Sequence, residues 1–468
     1  MSPGRIHGLL FAVLWFSYAF VHQGHKSPIA LSRLDALQAV WNHGTWRIDA
    51  YHSNTPDKAL VNGHYYSDKA PGTLLMAAPG FVASAVVLNA CGVATDSPKG
   101  WLFTSWATSM FGVGLIAAMG GVAFFAWLGR RVSERAALVT TLAVFLGAAP
   151  FPYSTMLFSH AAVAGMICVA LWALDETGNA ERGAENTKPE KLSAGKKEAL
   201  GGLCFGLALA SEYTAGLVIV GLLACFAVCD RRKAMRAGLW MTPPLLLIPA
   251  YSWMCFGTPF TIGYAHNATF AHLQSGFFGI HPPDAENAWR LLFGQARGLF
   301  FWTPFLLLAL AGYTGLARAD GRMFWAAYLI PVVDVAVLSG NNVEWMGGPS
   351  LGPRYLAPML PLLALPAAFA AQRWPRTAIA LAVLSILLTG MGTLLNASLP
   401  MGKLSPLTEV LWPALLTGQC APNLGEAAGL TGLWSLTPVL AVWGGGIGFL
   451  VRGVVTSQAI LIPDKSVG

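Results

Sequence analysis

Apolar runs of about 20 residues recur along nearly the whole chain, at roughly 8–22, 72–90, 101–129, 136–150, 156–174, 200–229, 237–255, 298–316, 322–339, 355–370, 376–395 and 431–451. A run of that length, wound as a helix, crosses a hydrocarbon core of about 30 Å. Backbone inside lipid must satisfy its own hydrogen bonds, so the choice is between helices and a closed barrel. Barrel strands are about 10 residues long and alternate in polarity; these runs do neither. The sequence therefore predicts an all-α polytopic membrane protein with about 11 to 13 transmembrane helices in one domain, 1–468. Only 11% of its residues are charged, against about 25% in soluble domains. The first run, LLFAVLWFSYAFV (9–21), is followed by no small-residue cleavage site and reads as a retained helix.

The polar connections are of two kinds. Residues 176–199 are charged and lack aromatics, the composition of a solvated flexible loop. Residues 23–71, 256–297, 340–354 and 396–430 mix Trp, Tyr, Phe, His, Gly and Pro with a few charges. Loops of that composition are expected to be ordered and to build a site.

Basic residues set orientation. DRRKAMR (230–236), RADGR (318–322), QRWPR (372–376) and Arg452 fall at alternate helix ends. Placing them in the cytoplasm puts the four aromatic-rich loops together on the extracytoplasmic side of a cytoplasmic (inner) membrane. GRRVSER (129–135) conflicts with simple parity. Either 200–229 is a hairpin bent at Ser211-Glu212-Tyr213 and part of 72–100 is re-entrant, or the charge rule fails at 129–135. The net charge of +7 bears on this topology and points to a bilayer, not to nucleic acid.

The first loop opens with LSRLDALQAVWNH (31–43), whose Leu31, Leu34, Leu37 and Trp41 predict a short amphipathic helix on the membrane surface. Behind it, residues 44–72 hold Asp49, Asp57, Asp68, Arg47, Lys58, Lys69, His52 and His64, interleaved with Trp, Tyr and Ile. The plainer reading is a solvated loop with surface ion pairs. The interleaving favours a loop drawn against the bilayer or the bundle.

GHYYSDKAPG (63–72), running into an apolar helix, resembles the motif that ends the first extracytoplasmic loop of GT-C glycosyltransferases, in particular the family 39-like group. That group includes protein O-mannosyltransferases and the aminoarabinose transferase of lipid A. GTWRIDAY (44–51) extends the likeness, and FGTPFTIGYAH (256–266), GLFFWTPFLLL (298–308) and EWMGGPSLGPRYLAPMLP (344–361) carry it thinly down the chain. The resemblance implies a GT-C-like bundle and an enzyme that takes a sugar from a polyprenyl-phosphate carrier. The sugar passes, with inversion, to a hydroxyl on a lipid, glycan or protein acceptor. A first-loop carboxylate would act as general base and basic side chains would receive the departing phosphate. Relatives carry the carboxylate early in the first surface helix. Here the first loop carboxylate is Asp35, so the role is assigned to Asp49, with Asp57 close behind.

Further roles follow. Lys69 would face a lipid phosphate with Asp68 holding it, or would be an interfacial anchor. Arg33 and Arg354 are the other expected phosphate ligands, since a guanidinium forks onto phosphate oxygens. Tyr66, His64, Glu344, Trp345, Tyr264 and His266 are expected to line substrate, with His272 beside them. Glu212, Asp334 and His160 lie within apolar spans, where an ionisable group is expensive and marks a cavity, a helix break or a buried pair. No metal-ligand pattern and no cofactor motif is present in the sequence, and the seven cysteines read as small apolar residues. Two other classes stay open: a lipid or glycolipid flippase or transporter, and a non-catalytic envelope-assembly protein of the same fold.

Overall fold

The computed structural model describes residues 1–23, 27–176, 192–341, 343 and 345–460. Glu344 and most of the charged stretch 176–199 lie outside the described residues. Helices dominate, and six segments among those described are long and apolar enough to cross a membrane. The protein is a multi-pass integral membrane protein.

The first helix, α1 (Pro3–Phe20), leads to α2 (Pro28–His43), then a hairpin of β1 (Lys58–Val61) and β2 (His64–Ser67), then α3 (Gly72–Ala90). A long helix, α4 (Pro98–Leu128), runs back along α1. Trp106 donates to the Ala19 carbonyl at its start, and Phe125 meets His7 near its end. Next come α5 (Glu134–Phe145), α6 (Ser159–Leu174), α7 (Ala194–Ser211) and α8 (Ala215–Cys229). They are followed by α9 (Arg231–Leu245), α10 (Leu247–Phe256), α11 (Pro304–Ala319), α12 (Gly321–Ser339), α13 (Arg354–Arg373), α14 (Pro375–Leu395) and α15 (Gly432–Val455).

The charge conflict at 129–135 resolves in the packing. Arg131 and Arg322 both pair with Asp175, Lys197 and Lys233 both pair with Glu176, and the Ser133 amide donates to Gln372. All of the basic loops therefore share one face. Two features make this possible. The apolar run 200–229 is broken at Glu212, whose backbone is extended (φ −151°, ψ 110°), so α7 and α8 form a hairpin. Helix α3 does not cross. Its first residue packs on Ala210 and Ser211 at the end of α7. The segment after it is held by the first loop: Gln38 donates to the Thr95 carbonyl (2.9 Å), and the Tyr51 hydroxyl reaches Asp96 (3.4 Å). Both ends of α3 thus lie on the face that carries α2.

One expectation is corrected. The α2 helix is not a lipid-facing amphipath. Ser32, Arg33, Asp35 and Gln38 are as buried as its leucines, because the bundle and the hairpin enclose it. The first loop is ordered, as its composition implies, and it contains a hairpin that the sequence reading did not specify. Val61-Asn62-Gly63-His64 makes a two-residue turn with positive φ at both Asn62 (50°) and Gly63 (80°), a combination that Asn-Gly supplies readily and that suits the twist of paired strands. The register Lys58↔Ser67 then sets Asp57 beside Asp68 and Lys69 at the open end of the hairpin.

The remaining loops of this face join the first. Ala59 bridges to Asn267, Ile280 to Asn341, and Val21 to Asn423.

Candidate functional site

Below the hairpin, the Lys69 ammonium lies 2.9 Å from Asp57 Oδ1 and 3.2 Å from Asp68 Oδ1. The Asp68 side chain is fully buried and that of Asp57 nearly so. Asn267 donates to Asp68 Oδ2 at 2.7 Å, which fixes that carboxylate from the 256–297 loop. Asp57 Oδ2 carries no hydrogen bond. The Tyr264 ring lies over the ammonium at 5.4 Å. Burial opposes a charge on Lys69, but Asp57 and then Asp68 outweigh it and hold the amine above the ordinary lysine range. Burial likewise pushes the Asp68 carboxyl up, with Lys69 pulling it back. The geometry is that of a buried lysine held between two carboxyl groups.

A second chain of contacts lies deeper. The Arg33 guanidinium donates to the Leu157 carbonyl (3.1 Å), and its Nε makes no hydrogen bond. Burial draws this guanidinium below its usual value, with Glu212 the foremost opposing charge, followed by Tyr264, Asp68 and Asp57. Ser159 donates to Glu212 Oε2 at 2.8 Å, and His160 Nε2 is 3.6 Å from the same oxygen. The His160 ring meets Tyr355 at 5.4 Å, and Arg354 lies over the Tyr355 ring at 4.8 Å while donating to the Tyr355 hydroxyl. Arg33, Asp57, Asp68, Lys69, Glu212, Tyr264 and Arg354 are thus gathered around one buried polar region.

Other expected residues lie elsewhere. Asp49 is exposed on the flank of the hairpin, where it accepts from the Tyr65 amide (2.7 Å) and His64 Nδ1 (2.7 Å). Its slight burial acts the other way, but these two bonds hold the carboxyl below its ordinary range. Tyr66 packs edge-on against Phe256, and His266 against the same ring. Trp345 is buried beneath Arg290 (5.7 Å). His272 packs on Phe270. Asp334 is buried within α12.

Gly263 sits where the 256–297 loop meets the triad. A Cβ there would lie 2.5 Å from the Asp68 Cα and carbonyl oxygen, both backbone atoms. Gly263→Ala is expected to cost about 1–3 kcal/mol by overpacking and to lift Tyr264 and Asn267 away from Lys69 and Asp68. Thermal unfolding in detergent measures the cost.

Asp35 lies on the other side of α2. Its Oδ1 accepts from Asn54 at 3.1 Å and its Oδ2 has no hydrogen-bond partner. Burial pushes this carboxyl up to about 8, against Asn54 and Lys58. Between about pH 4 and pH 8 the folded chain keeps a proton that the unfolded chain has lost. Stability therefore falls as pH rises through that window, by about 1.4 kcal/mol per unit at most. Asp35→Asn mimics the protonated acid and is expected to remove the slope, as read from unfolding midpoints across pH.

No protein-family model matches the chain, and no curated protein sequence does. Solved structures do. The oligosaccharyltransferase of Archaeoglobus fulgidus, in complex with zinc and sulfate, superposes with a TM-score of 0.50 at 13% identity, over 85% of this chain and 54% of that one. The chain shares the fold of that enzyme. ArnT from Cupriavidus metallidurans, bound to undecaprenyl phosphate, superposes with a TM-score of 0.48 at 17% identity, over 97% of this chain and 77% of that one. The chain spans about half the length of the archaeal enzyme. In this fold the buried polar region lies on the face opposite the basic loops. Among the described residues no three His, Cys, Asp or Glu side chains gather as a metal set.

Proposed function

We propose that the chain is a membrane glycosyltransferase that moves a sugar from a polyprenyl-phosphate carrier to an acceptor hydroxyl, with inversion, on the extracytoplasmic face of a cytoplasmic membrane. The observation that carries this reading is the Lys69 triad: a buried ammonium held between Asp57 and Asp68, with Arg33 and Arg354 in the same buried region. Buried cations with a labile partner suit an arriving phosphate. The GT-C fold and the likeness of GHYYSDKAPG (63–72) to the loop motif of those enzymes support the same class. The face follows from basic residues, which favour the cytoplasmic side.

The chemistry follows from the triad. A donor phosphate competes with Asp57 for Lys69, because Asp68 is pinned by Asn267 and Asp57 is not. Asp57, released, takes the acceptor proton as the acceptor oxygen attacks the anomeric carbon. The bond from that carbon to the phosphate oxygen breaks, and the carrier phosphate leaves with the electron pair onto Lys69, Arg33 and Arg354. Tyr264, standing over the ammonium, shields it from water. The proposed step involves the donor and the acceptor alone, without a cofactor. Asp49, capping the hairpin flank, stands outside the step.

The test uses purified protein with radiolabelled polyprenyl-phosphate monosaccharides and a membrane extract as acceptor. Loss of sugar from one carrier, with an inverted anomeric product, is the expected result. Folded protein that binds the carrier and releases no sugar from any donor overturns the reading. Movement of the intact lipid across vesicles would then assign it to transport.

A further inference from the structure

A cavity of about 460 Å³ opens on the far side of α2 from the Lys69 triad, lined by α2, the segment after it and the start of α4. Its volume falls within the range of about 300–1,000 Å³ usual for small-molecule sites. Tyr51 and Trp101 form one corner, with centroids 5.8 Å apart and planes at 53°. Asn54 and Asp96 supply polar groups, and Leu31 and Leu102 complete the apolar wall. No lysine, arginine or histidine lines it, so a phosphate or other anion finds no counter-charge there.

Hydrogen bonds to neighbouring side chains hold these polar groups in place. Tyr51 is 9% exposed, and its hydroxyl receives a hydrogen bond from Asn42 (3.0 Å) while reaching Asp96 Oδ2 (3.4 Å). Asn54 gives one N–H to Asp35 Oδ1, which leaves its other N–H and its carbonyl oxygen for a ligand. Behind it, Asp35 Oδ2 is fully buried with no partner. Such an arrangement offers two aromatic faces at an angle, one amide and one carboxylate. Aromatic faces cover the C–H face of a pyranose, and an amide with a carboxylate pairs with neighbouring hydroxyls, which are both donors and acceptors.

We propose that this cavity binds a neutral carbohydrate through Trp101, Tyr51, Asn54 and Asp96. Segment 54–57 connects it to the triad: Asn54 lines the cavity, the Thr55 hydroxyl accepts from the Asp57 amide, and Asp57 holds Lys69. Because α2 stands between the cavity and the triad, a sugar held there would be a part of a glycan acceptor remote from the attacked hydroxyl, and the cavity a remote acceptor subsite. That assignment of role rests on the transferase reading; sugar binding itself does not.

The experiment is ligand-observed saturation-transfer NMR on the full chain in a detergent that has no sugar headgroup. The 17 tryptophans make intrinsic fluorescence unsuitable. The probes are neutral di- and tetrasaccharides at millimolar concentration, with a zwitterionic phospholipid as competitor. Saturation transfer is expected from at least one sugar. Trp101→Ala and Asp96→Asn are expected to weaken binding by about tenfold, with Trp101→Phe restoring part of it. Asp57→Asn, which stops transfer under the proposed function, is expected to bind the sugar as the wild type does, so the two readings fail separately. Absence of binding in folded wild type, binding indifferent to both cavity substitutions, or full displacement by the phospholipid overturns the proposal.

Discussion

Asp57→Asn is expected to lower the transfer rate by about 10²–10⁴-fold, the range for loss of a positioned general base, while the protein stays folded. Asp49→Asn is expected to leave it within about twofold, as for a surface substitution. The contrast comes from the structure. Asp57 is 8% exposed and shares Lys69 with Asp68, so a phosphate that takes the ammonium frees its carboxylate. Asp49 spends both oxygens on the Tyr65 amide and His64 at an exposed flank. Steady-state kinetics separate a base from a residue that merely orients Lys69. Loss of the base lowers kcat with the donor KM unchanged or lower, since one anion has gone from beside the phosphate. Loss of orientation raises the donor KM. A full rate in Asp57→Asn would remove the residue from the chemistry.

Crossing helices were legible because the bilayer fixes their length, and α4, α12, α13 and α14 fall on the apolar runs. Helix α3 has the same credentials, 19 residues with a mean hydropathy of 1.7, yet it returns to the face it left. What decides this is Thr95 meeting Gln38, a contact between segments 57 residues apart that hydropathy does not encode. The break at Glu212 was visible as a charged residue within an apolar run. Whether that charge marked a hinge or a mid-membrane site required the Ser159 contact to settle.

The site was legible in parts. Lys69 and Asp68 stand out as adjacent charges at a helix mouth, Arg33 as a base within an apolar surface helix, and Arg354 as a base in an aromatic, Gly-rich turn. The partnership of Lys69 with Asp57 depends on strand register, and its sequence signal is the Asn62-Gly63 turn between two short β-prone runs. Reading that turn first would have set Asp57, not Asp49, opposite Lys69. Asn267 opens an Asn-Ala-Thr triplet that gives no hint of a clamp, and only its bond to Asp68 shows it as one. Tyr355 and Ser159 gave no signal of their own, because each matters through a neighbour brought to it by the fold.

Lys69→Met is expected to abolish transfer and also to destabilise the protein by about 3–5 kcal/mol, because it leaves two carboxylates without their counter-charge in a buried site. The side chains of Asp57 and Asp68 are 11% and 0% exposed, so water offers little relief. Activity alone would not distinguish a phosphate ligand from a structural ion pair. The triple variant Lys69→Met/Asp57→Asn/Asp68→Asn does. It removes the uncompensated charge while keeping the shapes, and Asn267 retains an amide partner at position 68. Thermal unfolding in detergent is expected to recover most of the lost stability, while sugar release from the carrier stays absent. Recovery of both would make the triad a packing device. Recovery of stability alone assigns to Lys69 a function that the folded state does not require, which is what a phosphate ligand must show. A single Lys69→Met variant with wild-type stability would instead mean that the carboxylates are solvated, and the ammonium an interfacial anchor of the kind lysines form at membrane boundaries.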